Sequence, residues 1–146
     1  MRVLVQRVSE ASVSIDGIQS ASIGLGFLLL VGFTEGDTSE KIRYLAGKVA
    51  KLRVFSDQEG KMNQNILSVG GEILSVSQFT LYANLADGNR PSFTDSLSPE
   101  KAILLYDEFN ALLAEQLHKP IKTGVFGAHM MISLVNDGPV TIMLER

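Results

Sequence analysis

The hexapeptide of residues 77–82, Ser-Gln-Phe-Thr-Leu-Tyr, combines hydroxyl groups, an amide and aromatic rings directly after an apolar segment. Ser77 and Thr80 carry hydroxyls that can act as nucleophiles or hold a water molecule, and Gln78 can both donate and accept hydrogen bonds. Phe79 adds an apolar surface of the kind that lines ligand pockets. These residues fit a catalytic segment, but on their own they also fit a polar strand end.

A base for such a hydroxyl is not placed by the sequence. His118 and His129 are the two histidines, and neither lies near Thr80 along the chain. There is no Gly-x-Ser-x-Gly elbow, no phosphate-binding P-loop and no His-Glu-x-x-His motif. Cysteine is absent, which removes thiolate nucleophiles and Cys-based metal sites. We therefore predict that the protein uses no metal and no cofactor.

A second polar stretch, Asn136-Asp137-Gly138-Pro139-Val140-Thr141, lies between apolar runs at 130–135 and 140–144. Both runs are rich in β-branched residues and of strand length, so they predict a terminal β-hairpin with a short polar tip. Pro139 donates no backbone hydrogen bond, and an X-Pro bond becomes cis at a cost of only about 0.5–1 kcal/mol. The residues alone also fit an ordinary hairpin with a trans proline.

The rest of the chain predicts an α/β fold, a single layered domain over residues 1–146 with mixed, largely antiparallel β-sheets and two amphipathic helices. An apolar run without alternation at 27–31 predicts a strand buried on both faces. Asp37 predicts an N-cap for a helix over 38–52, and Ser98-Pro99 predicts the start of a second helix that ends near His118. Further strands are expected at 3–8, 11–15 before an Asp16-Gly17 turn, 53–55 and 72–78, with a long loop at 83–97.

Composition limits the classes of function. The chain has 146 residues, of which 45% are hydrophobic, and this suits one domain with a real core. A net charge of −3 argues against a protein that coats nucleic acid non-specifically. The beginning of the chain is too charged for a signal peptide, and no apolar run is long enough to span a membrane. We therefore expect a soluble cytoplasmic protein.

The two polar stretches together closely resemble the two signature motifs of the D-aminoacyl-tRNA deacylases. The resemblance continues, in the same order along the chain, through Gln6-Arg7-Val8, Gly60-Lys61-Met62-Asn63, Arg90-Pro91-Ser92-Phe93 and Thr123-Gly124. Each motif alone is weak, but all of them collinear over essentially the whole chain are specific.

The resemblance implies a homodimeric hydrolase of carboxylic esters, which releases D-amino acids from tRNA and also removes glycine mischarged onto alanine tRNA. This is chiral proofreading, and it returns free tRNA to translation. By the same resemblance, Ser77, Gln78, Phe79 and Thr80 line the pocket. Gly138-Pro139 is cis and reaches from one subunit into the pocket of the other. Arg7 supports that loop, and Met130 lies either near the pocket or in ordinary strand packing.

Two roles are open for Thr80: its hydroxyl acts as the nucleophile, or it positions a water molecule. Without a base visible in the sequence, we favour hydrolysis assisted by backbone N–H groups and by the ribose 2′-hydroxyl of the substrate. Arg90 and Lys61 are the loop cations expected to meet the acceptor end of the tRNA. Two other functions stay open at this point: a non-catalytic RNA-end-binding module, and a small-molecule esterase that uses Thr80 or Ser77.

Overall fold

The computed structural model describes residues 1–146, which form eight strands, two α-helices and one short 3₁₀ turn. Two of the strands are much longer than the others and run beside each other. In chain order the elements are β1 (Arg2–Ile15), β2 (Ile18–Ile23), β3 (Gly26–Gly32), α1 (Ser39–Lys51), β4 (Phe55–Ser56), β5 (Met62–Gln64), β6 (Glu72–Ser77), the 3₁₀ turn (Phe79–Tyr82), α2 (Pro99–Leu117), β7 (Lys122–Thr123) and β8 (Met131–Glu145).

One mixed sheet contains six of the strands, in the order β2-β1-β3-β6-β7 with β8 also paired to β1. The β3–β6 and β6–β7 pairs are parallel, and the other pairs are antiparallel. Strands β4 and β5 form a separate antiparallel pair. This arrangement confirms the predicted α/β class with a mixed sheet and two helices.

Strand β3 is buried on both faces of the sheet, as its unbroken apolar run predicted. Phe27, Leu29 and Val31 point into a large core that also contains residues of both helices. Leu28 points to the opposite face, into a smaller core with residues of β1 and β6. Because β3 has no solvent side, it fixes the position of its parallel neighbour β6, which leads into the polar segment 77–80.

Helix α1 covers almost the predicted range, but its cap differs. Thr38, not Asp37, is the N-cap, and its hydroxyl accepts a hydrogen bond from Lys41 N–H at 3.4 Å. The Asp37 carboxylate is buried and bonds instead to the amino group of Met1 and to Thr34 N–H. The prediction of an Asp37 cap was wrong because a buried carboxylate is satisfied best by the cationic amine.

Helix α2 begins at Pro99, as predicted, and ends at His118 in the left-handed conformation. The Ser98 hydroxyl makes no capping hydrogen bond, so only the backbone closes the first turn. The residues that α2 buries completely are spaced three or four apart, as a helical stripe requires: Ala102, Tyr106, Phe109, Leu113 and Leu117. Neither helix is both long and apolar enough to cross a membrane.

The predicted terminal hairpin is wrong. Residues 131–145 form a single strand, β8, that stays antiparallel to β1 along its whole length. Asn136 pairs with Val8 and Thr141 pairs with Gln6, so four residues of β8 stand opposite one residue of β1. Residues 137–140 therefore leave the ladder as a bulged loop, and the chain continues in the same direction afterwards.

The reason for this difference is the length of β1. Sequence reasoning split β1 into two short strands, but the structure has one strand of 14 residues that can pair with both apolar runs of β8. The side chain of Asn136 closes the loop between the runs, since its Oδ1 accepts from Val140 N–H and its Nδ2 donates to Thr141 Oγ1, both at 2.9 Å. This closure holds the polar stretch without a chain reversal.

Protonation of the Glu72 carboxylate should make the unfolding free energy depend on pH. The Gly24 N–H and then Lys122 hold the pKa of this carboxyl below its ordinary value of 4.5. A lowered folded-state pKa stabilises the fold above the ordinary pKa, and this contribution disappears as pH falls through the folded value. The carboxylate is 39% exposed, so solvent screening limits the effect. We expect Glu72→Gln to cost about 1 kcal/mol of unfolding free energy at pH 7 and less at pH 3.

Urea unfolding at the two pH values measures this difference. Glu115→Gln is the matched control, because Glu115 is exposed and forms no ion pair. A Glu72→Gln deficit that is equal at pH 7 and pH 3 would contradict the linkage.

Candidate active site

A pocket of about 570 Å³ opens at the carboxyl ends of the parallel strands β3 and β6. Crevices at this edge of parallel strands are common ligand sites. Its walls come from the end of β6, the beginning of α2, the loop before α2 and the segment before β8. Of the predicted site residues, Ser77, Gln78, Phe79 and Met130 line it.

The segment after β6 is held in place by hydrogen bonds to its neighbours. Gln78 N–H donates to Val31 O at 2.7 Å, which extends the parallel pairing past the end of the strand. Ser96 Oγ donates to Phe79 O at 2.9 Å and ties the long loop to the turn. The first N–H to bond within the turn is that of Leu81, to Gln78 O. The N–H groups of Phe79 and Thr80 precede this bond, so neither has a hydrogen-bond acceptor within the turn.

Thr80 lies on the 3₁₀ turn and is exposed, and it does not line the pocket. Its Oγ1 accepts a hydrogen bond from Gln78 Nε2. No histidine or carboxylate bonds to it, so the structure supplies no base that would activate this hydroxyl. The role of Thr80 remains a prediction.

An aromatic pair forms the mouth of the pocket. The rings of Phe79 and Phe93 meet edge to face, with centroids 5.0 Å apart, and Phe79 is 57% exposed. Large apolar side chains seldom remain this exposed without a binding role when they gather at a pocket. Sequence reasoning named Phe93 only as part of a motif, and its place beside Phe79 depends on the course of the loop at 83–97.

The back wall is positioned by contacts from α2 and β7. Tyr106 donates from its hydroxyl to Ser75 O at 2.8 Å, and Gly124 N–H donates to the same carbonyl at 3.0 Å. Burial raises the pKa of the Tyr106 phenol, which stays a neutral donor. A Cβ at Gly124 would lie 2.5 Å from Met130 Sδ, so glycine lets Met130 approach the wall.

The pocket lining contains few titratable side chains. His129 is the one titratable side chain in the lining, which has no Asp, Glu, Lys or Arg. His118 lies at the end of α2 and is not part of the lining. Sequence reasoning found His129 but could not place it, since its position depends on how β8 joins β1. The pocket can therefore hold a ligand by shape and by backbone groups more than by charge.

The bulged loop of β8 is a separate feature, held by Arg7. Arg7 Nε donates to Asp137 O at 2.9 Å, Nη1 donates to Val54 O, and the Asp137 carboxylate lies 3.4 Å from Nε. The Gly138-Pro139 peptide bond is cis, as predicted, and both residues are exposed. Arg7 is 9% exposed, so it holds the loop from within the protein.

The loop and the pocket lie apart within one chain. Arg7 stands opposite Phe27 near the beginning of β3, and Gln78 bonds to Val31 near its end. Four residues of strand separate these points, which is about 13 Å. Arg7, Gly138 and Pro139 accordingly do not line the pocket. One chain thus brings together four of the predicted site residues and keeps the Gly-Pro loop elsewhere.

Comparisons with known proteins agree with this architecture. A solved structure named c-Myc DNA Unwinding Element Binding Protein matches with a TM-score of 0.94 and 40% identity, over 100% of this chain and 99% of that chain. A probable eukaryotic D-amino acid tRNA deacylase matches in fold with a TM-score of 0.83 and 18% identity, over 98% of this chain and 97% of that chain. The family model described as D-Tyr-tRNA(Tyr) deacylase matches residues 4–145. The chain therefore belongs to the D-Tyr-tRNA(Tyr) deacylase family and is a hydrolase of the ester bond that joins a D-amino acid to tRNA.

Proposed function

We propose that this enzyme works as a homodimer on the acceptor end of tRNA, and that the Gly138-Pro139 loop of each subunit closes the pocket of the other. The observation that carries the proposal is the separation of the loop from the pocket within one chain. A loop that is exposed, yet supported by a buried arginine, is suited to contact something outside its own subunit.

Strand β8 supports the dimer. It pairs with β1 along one edge only, so its other edge has free backbone groups over much of 15 residues. Long free edges are normally covered, because they invite pairing with another chain. The outward face of β8 also exposes three large apolar side chains, since Met131, Val135 and Met143 are 66%, 50% and 46% exposed. A two-fold contact here would cover this face and bring each loop toward the other subunit.

The chiral selection that we propose is steric. D- and L-amino acids differ only in the direction of the side chain, and an apolar pocket discriminates such small differences weakly, by about 1–3 kcal/mol. A rigid backbone wall rejects by collision instead. Carbonyl groups of the Gly138-Pro139 loop would accept the substrate amine and occupy the space that an L side chain needs. Glycine has no side chain to collide, so glycine on alanine tRNA would also enter.

We infer that hydrolysis uses backbone groups and the substrate itself. The free N–H groups of Phe79 and Thr80 are suited to stabilise the oxyanion that develops on the ester carbonyl. The ribose 2′-hydroxyl next to the ester would orient the attacking water. The only hydrogen bond of Thr80 Oγ1 is the one from Gln78 Nε2, so no base contacts this hydroxyl, and this favours the inference over a Thr80 acyl-enzyme. We expect no cofactor, a cytoplasmic location and a single domain over residues 1–146.

The test of the proposal is selectivity among three substrates. D-Tyr-tRNA and Gly-tRNA should both lose their amino acid rapidly, while L-Tyr-tRNA should remain charged, since only its side chain meets the loop. Release of labelled amino acid from each tRNA measures the rates. Equal rates for D- and L-Tyr-tRNA would refute steric rejection by the loop.

Thr80→Ala should retain substantial activity, at least a tenth of wild type, because general hydroxyl assistance is replaceable by water while a nucleophile is not. A substrate with a 2′-deoxy terminal adenosine should be hydrolysed more slowly than the normal ester. Single-turnover rates decide both points. A trapped acyl-Thr80 species, or full activity on the 2′-deoxy substrate, would contradict the mechanism.

The two other functions, an RNA-end-binding module and a small-molecule esterase, predict different experimental results. A non-catalytic RNA-end-binding module would bind tRNA without turnover, and family membership argues against it. A small-molecule esterase would hydrolyse a simple D-amino-acid ester as well as the tRNA ester. The relative named as a DNA-unwinding-element binding protein raises DNA as a ligand, but a net charge of −3 disfavours extended contact with a duplex.

A further inference from the structure

Only some of the Lys and Arg side chains of this acidic protein form ion pairs with acids. Six of the 13 Lys and Arg side chains lie within 4.0 Å of an acid and so form ion pairs: Arg2, Arg7, Lys41, Lys61, Lys101 and Lys122. Lys119 is held by the carbonyls of Gly70 and Gly71, and Arg90 is in the loop before α2. Arg53 Nε likewise donates to Asn63 O at 2.9 Å. The other four have no acid partner and lie on α1 or against it, and we name them the α1 basic surface: Arg43, Lys48, Lys51 and Arg146.

An exposed aromatic ring lies within this surface. Tyr44 is 45% exposed, and Lys48 Nζ and the Arg146 guanidinium carbon lie 5.4 and 5.0 Å from its ring centroid. Lys48 and Lys51 are four and seven residues after Tyr44, so all three share one side of the helix. Contact with a ring leaves the positive charge in place, and the charges therefore remain available to an anion.

Ordinary helix electrostatics accounts for only part of the cluster. Lys48 and Lys51 are in the last turn of α1, where cations favour the helix dipole. Arg43 and Arg146 lie outside that turn, so the dipole does not explain them. From residue 39 to residue 53 the only acid is Glu40. This local excess of positive charge in a chain of net charge −3 is suited to bind an anion.

We propose that the α1 basic surface binds the sugar-phosphate backbone of the tRNA acceptor stem. The surface ends beside the Gly-Pro loop, because Val54 follows α1 closely and its carbonyl accepts from Arg7. This assignment rests on the proposed function, in which that loop sits at the partner's pocket and the acceptor stem leaves from there. Helix α1 is about 20 Å long and spans several phosphates of the stem. Lys61, a contact expected from the sequence, is exposed and paired with Glu59 at 2.8 Å, and its contact with tRNA stays a prediction.

Binding of uncharged tRNA at varied salt tests this surface independently of catalysis. Each phosphate contact to a duplex contributes roughly 0.9 to the magnitude of the slope of log affinity against log salt, so Lys48→Gln/Lys51→Gln should lower that magnitude by about 1.8. Between 200 and 50 mM salt, wild-type affinity should then rise about twelvefold more than that of the variant. Lys101→Gln/Lys122→Gln removes the same charge from cations that are paired with glutamates and have no proposed tRNA contact, and it should leave the slope unchanged.

Kinetics separate this proposal from the proposed function. With D-aminoacyl-adenosine, which has no stem, Lys48→Gln/Lys51→Gln should keep the wild-type kcat/KM, while KM for D-aminoacyl-tRNA should rise. Equal salt slopes for the two double variants would overturn the assignment. So would equal binding of a DNA duplex with the stem sequence and the same dependence on Lys48 and Lys51. A failure of D/L selectivity in the wild type would refute the proposed function and leave these binding slopes to decide the surface.

Discussion

Replacing Gly138 by alanine should reduce kcat/KM for D-aminoacyl-tRNA about 100-fold, because catalytic geometry tolerates little displacement of the groups that hold the substrate. Gly138 has a φ of +131°, which L side chains rarely adopt. A Cβ there would lie 2.8 Å from Val140 Cγ2, 3.0 Å from Val140 N and 3.1 Å from Arg7 Nη2. The loop would have to move away from the arginine that supports it. Parallel rates on D- and L-Tyr-tRNA measure both activity and rejection.

Gly88→Ala is the matched control for this variant. Gly88 has nearly the same backbone conformation, with φ +136°, but a Cβ there meets nothing within 4 Å. It therefore introduces the same conformational strain without a collision, at a position that does not line the pocket. If both variants lost activity equally, strain or instability would explain the loss, and the shape of the Gly-Pro loop would not.

Mixing two inactive variants should restore activity. Gly138→Ala damages the loop and keeps the pocket, while Ala128→Trp fills the pocket with an indole and keeps the loop, since Ala128 lines the pocket. A heterodimer then has one intact pocket facing one intact loop. With random exchange of subunits, half of the dimers are mixed and each has one competent site, so about a quarter of wild-type activity should return.

Subunit exchange must be verified by mass spectrometry of the mixture, since unexchanged homodimers would also be inactive. A chain carrying both substitutions, mixed with wild type, is the control, because its heterodimer has no intact pocket facing an intact loop. No recovery in a mixture that contains heterodimers would mean that each loop serves its own subunit, and the proposed exchange would be wrong.

Local sequence patterns predicted the elements whose environment is local. The unbroken apolar run of β3 and the helical stripe of α1 appear where expected, and the Asp16-Gly17 turn joins β1 to β2 with both residues at positive φ. These features depend on periodicity and on backbone preferences of single residues. The family resemblance added the pocket segment and the Gly-Pro loop, which local patterns could not distinguish from a polar strand end and a hairpin.

The predictions that were wrong concern residues whose structural partners are distant in sequence. Asp37 was expected to cap α1, but its partner is the amino group of Met1, 36 residues away in sequence. Residues 137–140 were expected to reverse the chain, but β1 is long enough to pair with the strand on both sides of them. Phe93 and His129 join Phe79 at the pocket only because the long loop and β8 fold back to the end of β6. No pattern within a short window contains this information.

The 3₁₀ turn at Phe79–Tyr82 has a consequence for how this enzyme can be dissected. The groups it leaves free are peptide N–H groups, and every amino acid except proline supplies one. Side-chain replacement at these positions would therefore report on packing, while the hydrogen-bond donors themselves stayed in place. Chemical synthesis or nonsense suppression that converts the amide of Phe79 or Thr80 into an ester removes a single donor and leaves every side chain intact. In evolution, too, substitutions other than proline could change the side chains of this turn and retain both N–H donors.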